Sequence, residues 1–361
     1  MRNHNINSVY MGPSPWKSNQ FHPTECSGDI WKFANNTLSS AGGSVVRSRM
    51  SSRLKLLVFI LSVAAYGLLL MVDFTDQFKL QVQTSCACEK CLSDDNLLLS
   101  HLNPSVELFL SAKTNISEEA FNWWKGLQCE KRDFRFFKKT VKKLFEIFPP
   151  SPNLQKPSPD SCRTCAVVGN SVNLKGSHYG PLIDYQDVVI RMNSATTKGY
   201  EEDIGTKTTH HVMYPESAVD LQNSTHLVLF PFKIMDLQWL IKAFTTGFYG
   251  QSYAPIKTNI RANKDLVMVV NPAFMKYSHE RWLEKKGAYP STGFMTFIFA
   301  LHICDEVHVF GFGADSDGNW SHYFEELRDK NLKTGQHPGH LEYDIIQHLA
   351  KEKTVNFYKG S

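Results

Sequence analysis

From residue 162 onward, short apolar runs alternate with longer segments of helical period. The runs 165–169, 187–191, 206–213, 226–231, 266–270, 306–311 and 354–358 predict strands, and 235–245, 273–285, 293–303 and 340–352 predict helices. Such alternation predicts an α/β domain with one mostly parallel central sheet and helices on both faces. In a sheet of that kind a ligand sits at the carboxyl ends of the strands, near a topological switch point. Upstream, 117–129 (Phe121, Trp123, Trp124, Leu127) and 134–148 (Phe136, Phe137, Val141, Leu144, Phe145, Phe148) read as amphipathic helices with core-facing aromatic stripes. The proline-rich stretch PPSPNLQKPSPD, 149–160, reads as a linker.

One apolar run is of another kind. Residues 56–72, LLVFILSVAAYGLLLMV, carry no charge and as a helix would span about 25 Å, the short end for a bilayer. Short spans suit the thinner membranes of the early secretory pathway. Arg47, Arg49, Arg53 and Lys55 precede it and Asp73 and Asp76 follow, so the N-terminus is expected in the cytosol. The expected organisation is a cytosolic tail, 1–55, largely without fixed structure, then a transmembrane signal anchor, 56–72. A stem, 73–100, and a lumenal catalytic domain, 101–361, follow. Met50 is an alternative start.

Charge adds one exclusion. The net +4 of the 361 residues resides in the tail, where seven basic residues face only Glu25 and Asp29. The remainder is near neutral, so a nucleic-acid partner is not expected.

Eight cysteines occur, Cys26 in the tail and seven beyond the span. Two CxxC pairs, 88/91 and 162/165, could suggest zinc, but their separation is far beyond a zinc ribbon's and an oxidising lumen favours disulfides. Seven lumenal cysteines leave one unpaired, with Cys129 the candidate. Asn115-Ile-Ser and Asn223-Ser-Thr are candidate glycan sites; Asn319-Trp-Ser lies within a candidate site loop.

Chemistry-bearing residues collect in four places. After the first strand comes GNSVNLKG, with Gly169, Asn170, Ser171 and Asn173, followed by Arg191 and Asn193 at the end of the next strand. This loop lacks GxGxxG, and its asparagines suit sugar hydroxyls or a base edge. YPSTG, 289–293, opens an apolar helix whose free N–H groups suit an anion, and plain N-capping explains the same residues. FGFGADSDGNWSHYFE, 310–325, holds His322 and Glu325, and GQHPGHLEYD, 335–344, holds His337 before Pro338. Paired loop histidines suit acid–base work. Asp315 and Asp317 form a DxD of the kind that holds Mn²⁺ in sugar-nucleotide transferases, or a plain turn.

Taken together, these stretches resemble the sialyl motifs of animal sialyltransferases. The long motif matches 162–209, the short motif 289–311, the third motif SHYFE at 321–325, and the very short motif His337 through Glu342. With GTKTTHHVMYPES, they are most similar to the beta-galactoside alpha-2,3 branch of that family, types 1 and 2, over nearly all of residues 84–360. The resemblance implies a Rossmann-like glycosyltransferase domain, a GT-A variant, using CMP-sialic acid as donor and no metal or other cofactor. It implies inverting transfer to the 3-hydroxyl of a terminal galactose, on Galβ1-3GalNAc of O-glycans or glycolipids, in the Golgi membrane. His337 matches the general base and His322 the residue that meets the donor phosphate. Asn170, Ser171, Asn193, Tyr214, Ser291, Thr292, Gly293, Gly313 and Ala314 match donor-binding positions, and Gln128, Ser217, Tyr253 and Tyr289 acceptor-binding ones. It further implies disulfides Cys86–Cys91, Cys88–Cys162 and Cys165–Cys304. A homodimer stays open.

Three positions depart from the pattern. Val172 replaces a glycine, and a β-branched residue there is strained if the site needs positive φ. Ser321 replaces a first histidine, and Phe324 a tryptophan. Two other readings stay open: a Mn²⁺-dependent UDP-sugar transferase using Asp315 and Asp317, and a non-catalytic lumenal glycan-binding protein.

Overall fold

The computed structural model describes residues 61–63, 86–152, 158–326 and 334–360. The chain divides into two units, 1–82 and 83–361. Of the first only 61–63 are described, as helix, so the tail and nearly all of the 56–72 span lie outside the described residues. Among the described residues no helix is long and apolar enough to cross a membrane.

The second unit begins with α1 (Asn96–His101), α2 (Glu118–Gly126) and α3 (Phe134–Leu144). Asp95, Ser117 and Asp133 cap them, each side chain accepting from a backbone N–H three residues on. Part of the segment expected as stem is therefore folded: Leu92 and Leu98 are buried in the main core. The helix expected over 117–129 stops at Gly126, and Cys129 lies beyond it with φ 53°.

The alternating region forms β1 (Thr164–Val168), α4 (Gly180–Tyr185), β2 (Val188–Met192), α5 (Glu201–Ile204), β3 (His210–Met213) and β4 (His226–Leu229). It continues through α6 (Ile234–Ala243), β5 (Val267–Val269), α7 (Pro272–Tyr277), α8 (Thr292–Ile303), β6 (Glu306–Phe310), α9 (Gly339–Lys351) and β7 (Asn356–Tyr358). All seven strands pair in parallel in the order β5-β4-β3-β2-β1-β6-β7. Successive side chains of a strand point to opposite faces, and the core obeys this. Cys165, Val167, Ile190, Met192, Val307 and Val309 pack with α6, α8 and α9, whereas Ala166, Val168, Val189 and Phe310 pack with Ile183 of α4 and Ile204 of α5. Helices thus cover both faces, as expected.

Two further boundaries that differ from expectation have a visible physical reason. The strand expected over 206–213 begins at His210, because Asp184 accepts from the backbone N–H of Thr206 and Lys207 and holds them in a loop. The helix expected over 273–285 turns into a π-helical segment over Ser278–Trp282 and ends at Glu284 and Lys285, both left-handed. The 149–160 linker is described except for 153–157.

Three disulfides tie the unit together: Cys86–Cys91, Cys88–Cys162 and Cys165–Cys304. Both CxxC pairs are thereby divided between bridges, and among the described residues Cys129 is the free thiol.

Candidate active site

Strand order reverses at β1, whose neighbours β2 and β6 lead away in opposite directions. A cavity of about 280 Å³ opens there, at the carboxyl ends of β1, β2, β3 and β6 and the N-terminus of α8. Its walls come from all four motif regions: Asn170 and Ser171, Asn193, Ser291 to Gly293, Gly313, His322, and His337 with Glu342.

The GNS loop is shaped by contact with the loop after β6. A Cβ at Gly169 would lie 2.2 Å from the Gly311 carbonyl oxygen, and one at Gly311, itself at φ 67°, would lie 2.4 Å from Leu174, so neither tolerates a side chain. Ser171 Oγ donates to the Gly313 carbonyl (2.8 Å), and Asn173 Nδ2 donates to that of Ala314 (3.0 Å). Ala314 therefore sits behind the lining rather than in it. Asn170 Nδ2 donates to the Met192 carbonyl, leaving Oδ1 buried without a partner. An unpartnered acceptor at a cavity wall is a place where a ligand hydroxyl or amine recovers a hydrogen bond.

The strain expected at Val172 is absent. It opens a 3₁₀ turn, Val172–Leu174, capped by Ser171, and its φ is not positive. Ser321 accepts from Val172 N–H through its backbone carbonyl, which any residue supplies. Phe324 stacks on His322 (centroids 5.2 Å, 18°), a flat support that does not require tryptophan. Arg191 is not in the cavity. It is buried and donates to the carbonyls of Ile204 and Lys207, and desolvation draws its pKa down to about 10.

Ser291 caps α8, its Oγ accepting from Phe294 N–H (3.0 Å). Its own N–H donates to Glu342 Oε1 of α9 (2.7 Å), so the short and very short motifs are physically one unit. Glu342 is missing from the sequence-based site residues; the signal was its place at the end of the very short motif. Burial pushes its carboxyl up to about 7, the bond from Ser291 working the other way. A carboxyl raised in the fold gives stability that is full below its unfolded value near 4.5 and lost as pH rises through 7. Glu342→Gln should therefore raise the melting temperature at pH 8, by relief on the order of 3 kcal/mol, and leave it nearly unchanged at pH 4.5. Thermal unfolding at both values checks this.

His337 Nδ1 meets the Tyr289 carbonyl oxygen at 3.1 Å, and the two rings stand edge to face (4.8 Å, 90°). A carbonyl only accepts, so Nδ1 carries the proton and Nε2 of the neutral ring keeps its lone pair. Burial moves the His337 pKa below its ordinary 6.5, against the Tyr289 contact, so the ring is neutral at neutral pH. His322 also lines the cavity, paired through Nδ1 with Glu325 (2.8 Å). That contact holds the Glu325 carboxyl below its ordinary value. Asp315 serves a turn: its oxygens accept from the N–H groups of Asp317 and Asn319 and from Asn319 Nδ2. Asn319 is itself buried by this turn.

Beside the cavity an aromatic wall runs from Tyr214 through Phe232 to Tyr289. Tyr253 bonds Tyr214, and Lys233 lies over its ring (5.8 Å). Lys233 is held between Glu216 and Asp236, 3.0 Å from each. Ser217 Oγ donates to Asn193 Oδ1, linking this wall to the cavity. Gln128 is half-buried, two residues before Glu130, which accepts from Ile234 N–H at the start of α6.

Residues 109–354 match the family model of glycosyltransferase family 29 (sialyltransferase). The chain belongs to the sialyltransferases of that family. It is 44% identical to CMP-N-acetylneuraminate-beta-galactosamide-alpha-2,3-sialyltransferase 1 of Gallus gallus, over 76% of this chain and 82% of that one. It is 43% identical to the corresponding sialyltransferase 2 of Rattus norvegicus, over 77% and 81%. A mammalian sialyltransferase crystallised with Gal-beta-1-3GalNAc-ortho-nitrophenol superposes with a TM-score of 0.70 at 41% identity, covering 76% of this chain and all of that one. The four motif regions that line the cavity thus lie in a sialyltransferase chain, and the family resemblance read from them holds.

Proposed function

We propose that this sialyltransferase moves sialic acid from CMP-sialic acid to the 3-hydroxyl of a terminal galactose, with Galβ1-3GalNAc as the acceptor terminus. The observation that carries the reading is His337: a neutral imidazole with Nδ1–H committed to Tyr289 and Nε2 unprotonated, at the wall where the cavity meets the aromatic surface.

Asn170, Ser171, Asn193, Tyr214 and the 291–293 turn hold the nucleotide end of the donor, and Gly313 keeps the wall behind them close to Tyr343. Gln128, Ser217, Tyr253 and Tyr289 present the acceptor disaccharide. His337 Nε2 takes the proton of the galactose 3-hydroxyl as its oxygen bonds the anomeric carbon. The bond from that carbon to the CMP phosphate oxygen breaks, and the electron pair leaves with CMP. His322, stacked on Phe324, and the N-terminus of α8 meet the departing phosphate. Attack opposite the leaving group inverts the centre, and no step uses a metal.

The same reading assigns 56–72 as the signal anchor of a Golgi protein with its catalytic unit in the lumen. It assigns glycans to Asn115 and Asn223, both exposed. The deciding assay gives the full chain CMP-sialic acid and Galβ1-3GalNAc in EDTA and analyses the product linkage. An α2-3 product is expected. Activity lost in EDTA and restored by Mn²⁺ would return the metal-dependent reading, and CMP binding without turnover the non-catalytic one.

A further inference from the structure

Asn193 lines the cavity in a left-handed conformation, φ 57°, which few residues other than glycine adopt. Three bonds hold it there. Its N–H donates to the Val212 carbonyl (2.7 Å), its Oδ1 accepts from Ser217, and its carbonyl oxygen accepts from His211 Nε2 (2.7 Å). With N–H, carbonyl and Oδ1 all engaged, the side-chain Nδ2 is the group left to donate to a ligand.

His211 has no part in the chemistry above. It is the second residue of β3, only 4% exposed, and faces Arg191 of β2 in register. Because its partner is a carbonyl, its Nε2 carries the proton. Burial and the neighbouring Arg191 keep the ring neutral, with a pKa of about 4. A buried imidazole of fixed tautomer is a rigid donor, aimed at the one backbone carbonyl that a left-handed residue turns toward it.

We propose that His211 is a positioning residue for the donor site, acting through the Asn193 carbonyl to fix where Asn193 Nδ2 points. The proposal rests on the reading that the cavity takes CMP-sialic acid. His211 itself does not line the cavity and reaches the site only through Asn193.

The test is a double-mutant cycle read by calorimetric titration of the full chain, in detergent, with CMP as the probe. His211→Leu should weaken CMP binding about ten-fold, since it orphans a buried carbonyl and frees the turn. His211→Gln, which keeps an N–H donor, should restore most of the affinity, and the KM for Galβ1-3GalNAc should stay within about two-fold throughout. In an Asn193→Gly background, where the backbone adopts positive φ freely and the amide is gone, His211→Leu should add less than about two-fold. Equal losses in both backgrounds, or unchanged CMP binding in His211→Leu, would overturn the proposal. If His211→Leu does not fold, His211→Asn, whose shorter amide falls short of the carbonyl, takes its place in the cycle. Wild-type chain that does not bind CMP would instead sink the donor reading itself.

Discussion

Replacing His337 by alanine should lower kcat by about 10²- to 10⁴-fold while CMP binds within about two-fold of wild type. The split follows from what the ring does. Its Nδ1–H is spent on Tyr289, so the only free polar atom is the Nε2 lone pair, which is useless to an anionic donor and suited to an acceptor hydroxyl. Removing it takes away proton abstraction and little ground-state binding. The pH profile carries the same signature. A base whose pKa lies below 6.5 is unprotonated throughout the neutral range, so kcat/KM for the acceptor should be flat there and fall only as pH drops below that value. In His337→Ala that acid limb should disappear. Equal rates for variant and wild type would remove the histidine from the mechanism.

The second large effect is on stability. Cys165 lies in β1, an interior strand of the sheet, and Cys304 caps the C-terminus of α8 two residues before β6. The bridge closes a loop of sequence separation 139, the widest of the three. A cross-link over so long a loop removes much freedom from the unfolded chain, and losing a native disulfide costs about 2–5 kcal/mol. Cys165→Ser with Cys304→Ser should therefore lower the melting temperature by roughly 5–15 °C. Replacing both residues, not one, avoids a stray thiol, and differential scanning calorimetry reads the result. Cys129→Ser, which breaks no bridge, should leave the melting temperature unchanged and serves as the control.

What could be read from the residues divides by the range of the forces involved. Each of the seven strands among the described residues overlaps an expected run, because a strand buried in a parallel sheet reads as a short apolar run; only the edge strand β7 is partly exposed throughout. The start of β3 was not visible. Apolar pattern says nothing about Asp184, twenty-two residues earlier, collecting the N–H groups of Thr206 and Lys207. Val172 shows the opposite error: a missing glycine suggested strain, yet Ser171 capping a 3₁₀ turn keeps the position at ordinary φ. Arg191 was grouped with Asn193 because both fall at the end of the second strand, and residues two apart in a strand share a face. The left-handed turn at Asn193 breaks that alternation and separates a buried structural guanidinium from a cavity residue. Glu342 carries no local mark of its link to Ser291, fifty-one positions away. Pairings of that kind appear only when the chain is closed in space.

Gly169 and Gly311 touch through their backbones, with no room between them for even a methyl group. The two loops that frame the cavity floor are therefore one thickness of main chain, and substitution cannot deepen, tilt or recolour it there. Any variant of this enzyme selected for a bulkier or differently decorated nucleotide sugar would have to change other side chains of the lining instead, such as Trp320 or Tyr343. The floor acts as the invariant plate of a mould, and diversity is confined to the side chains standing around it.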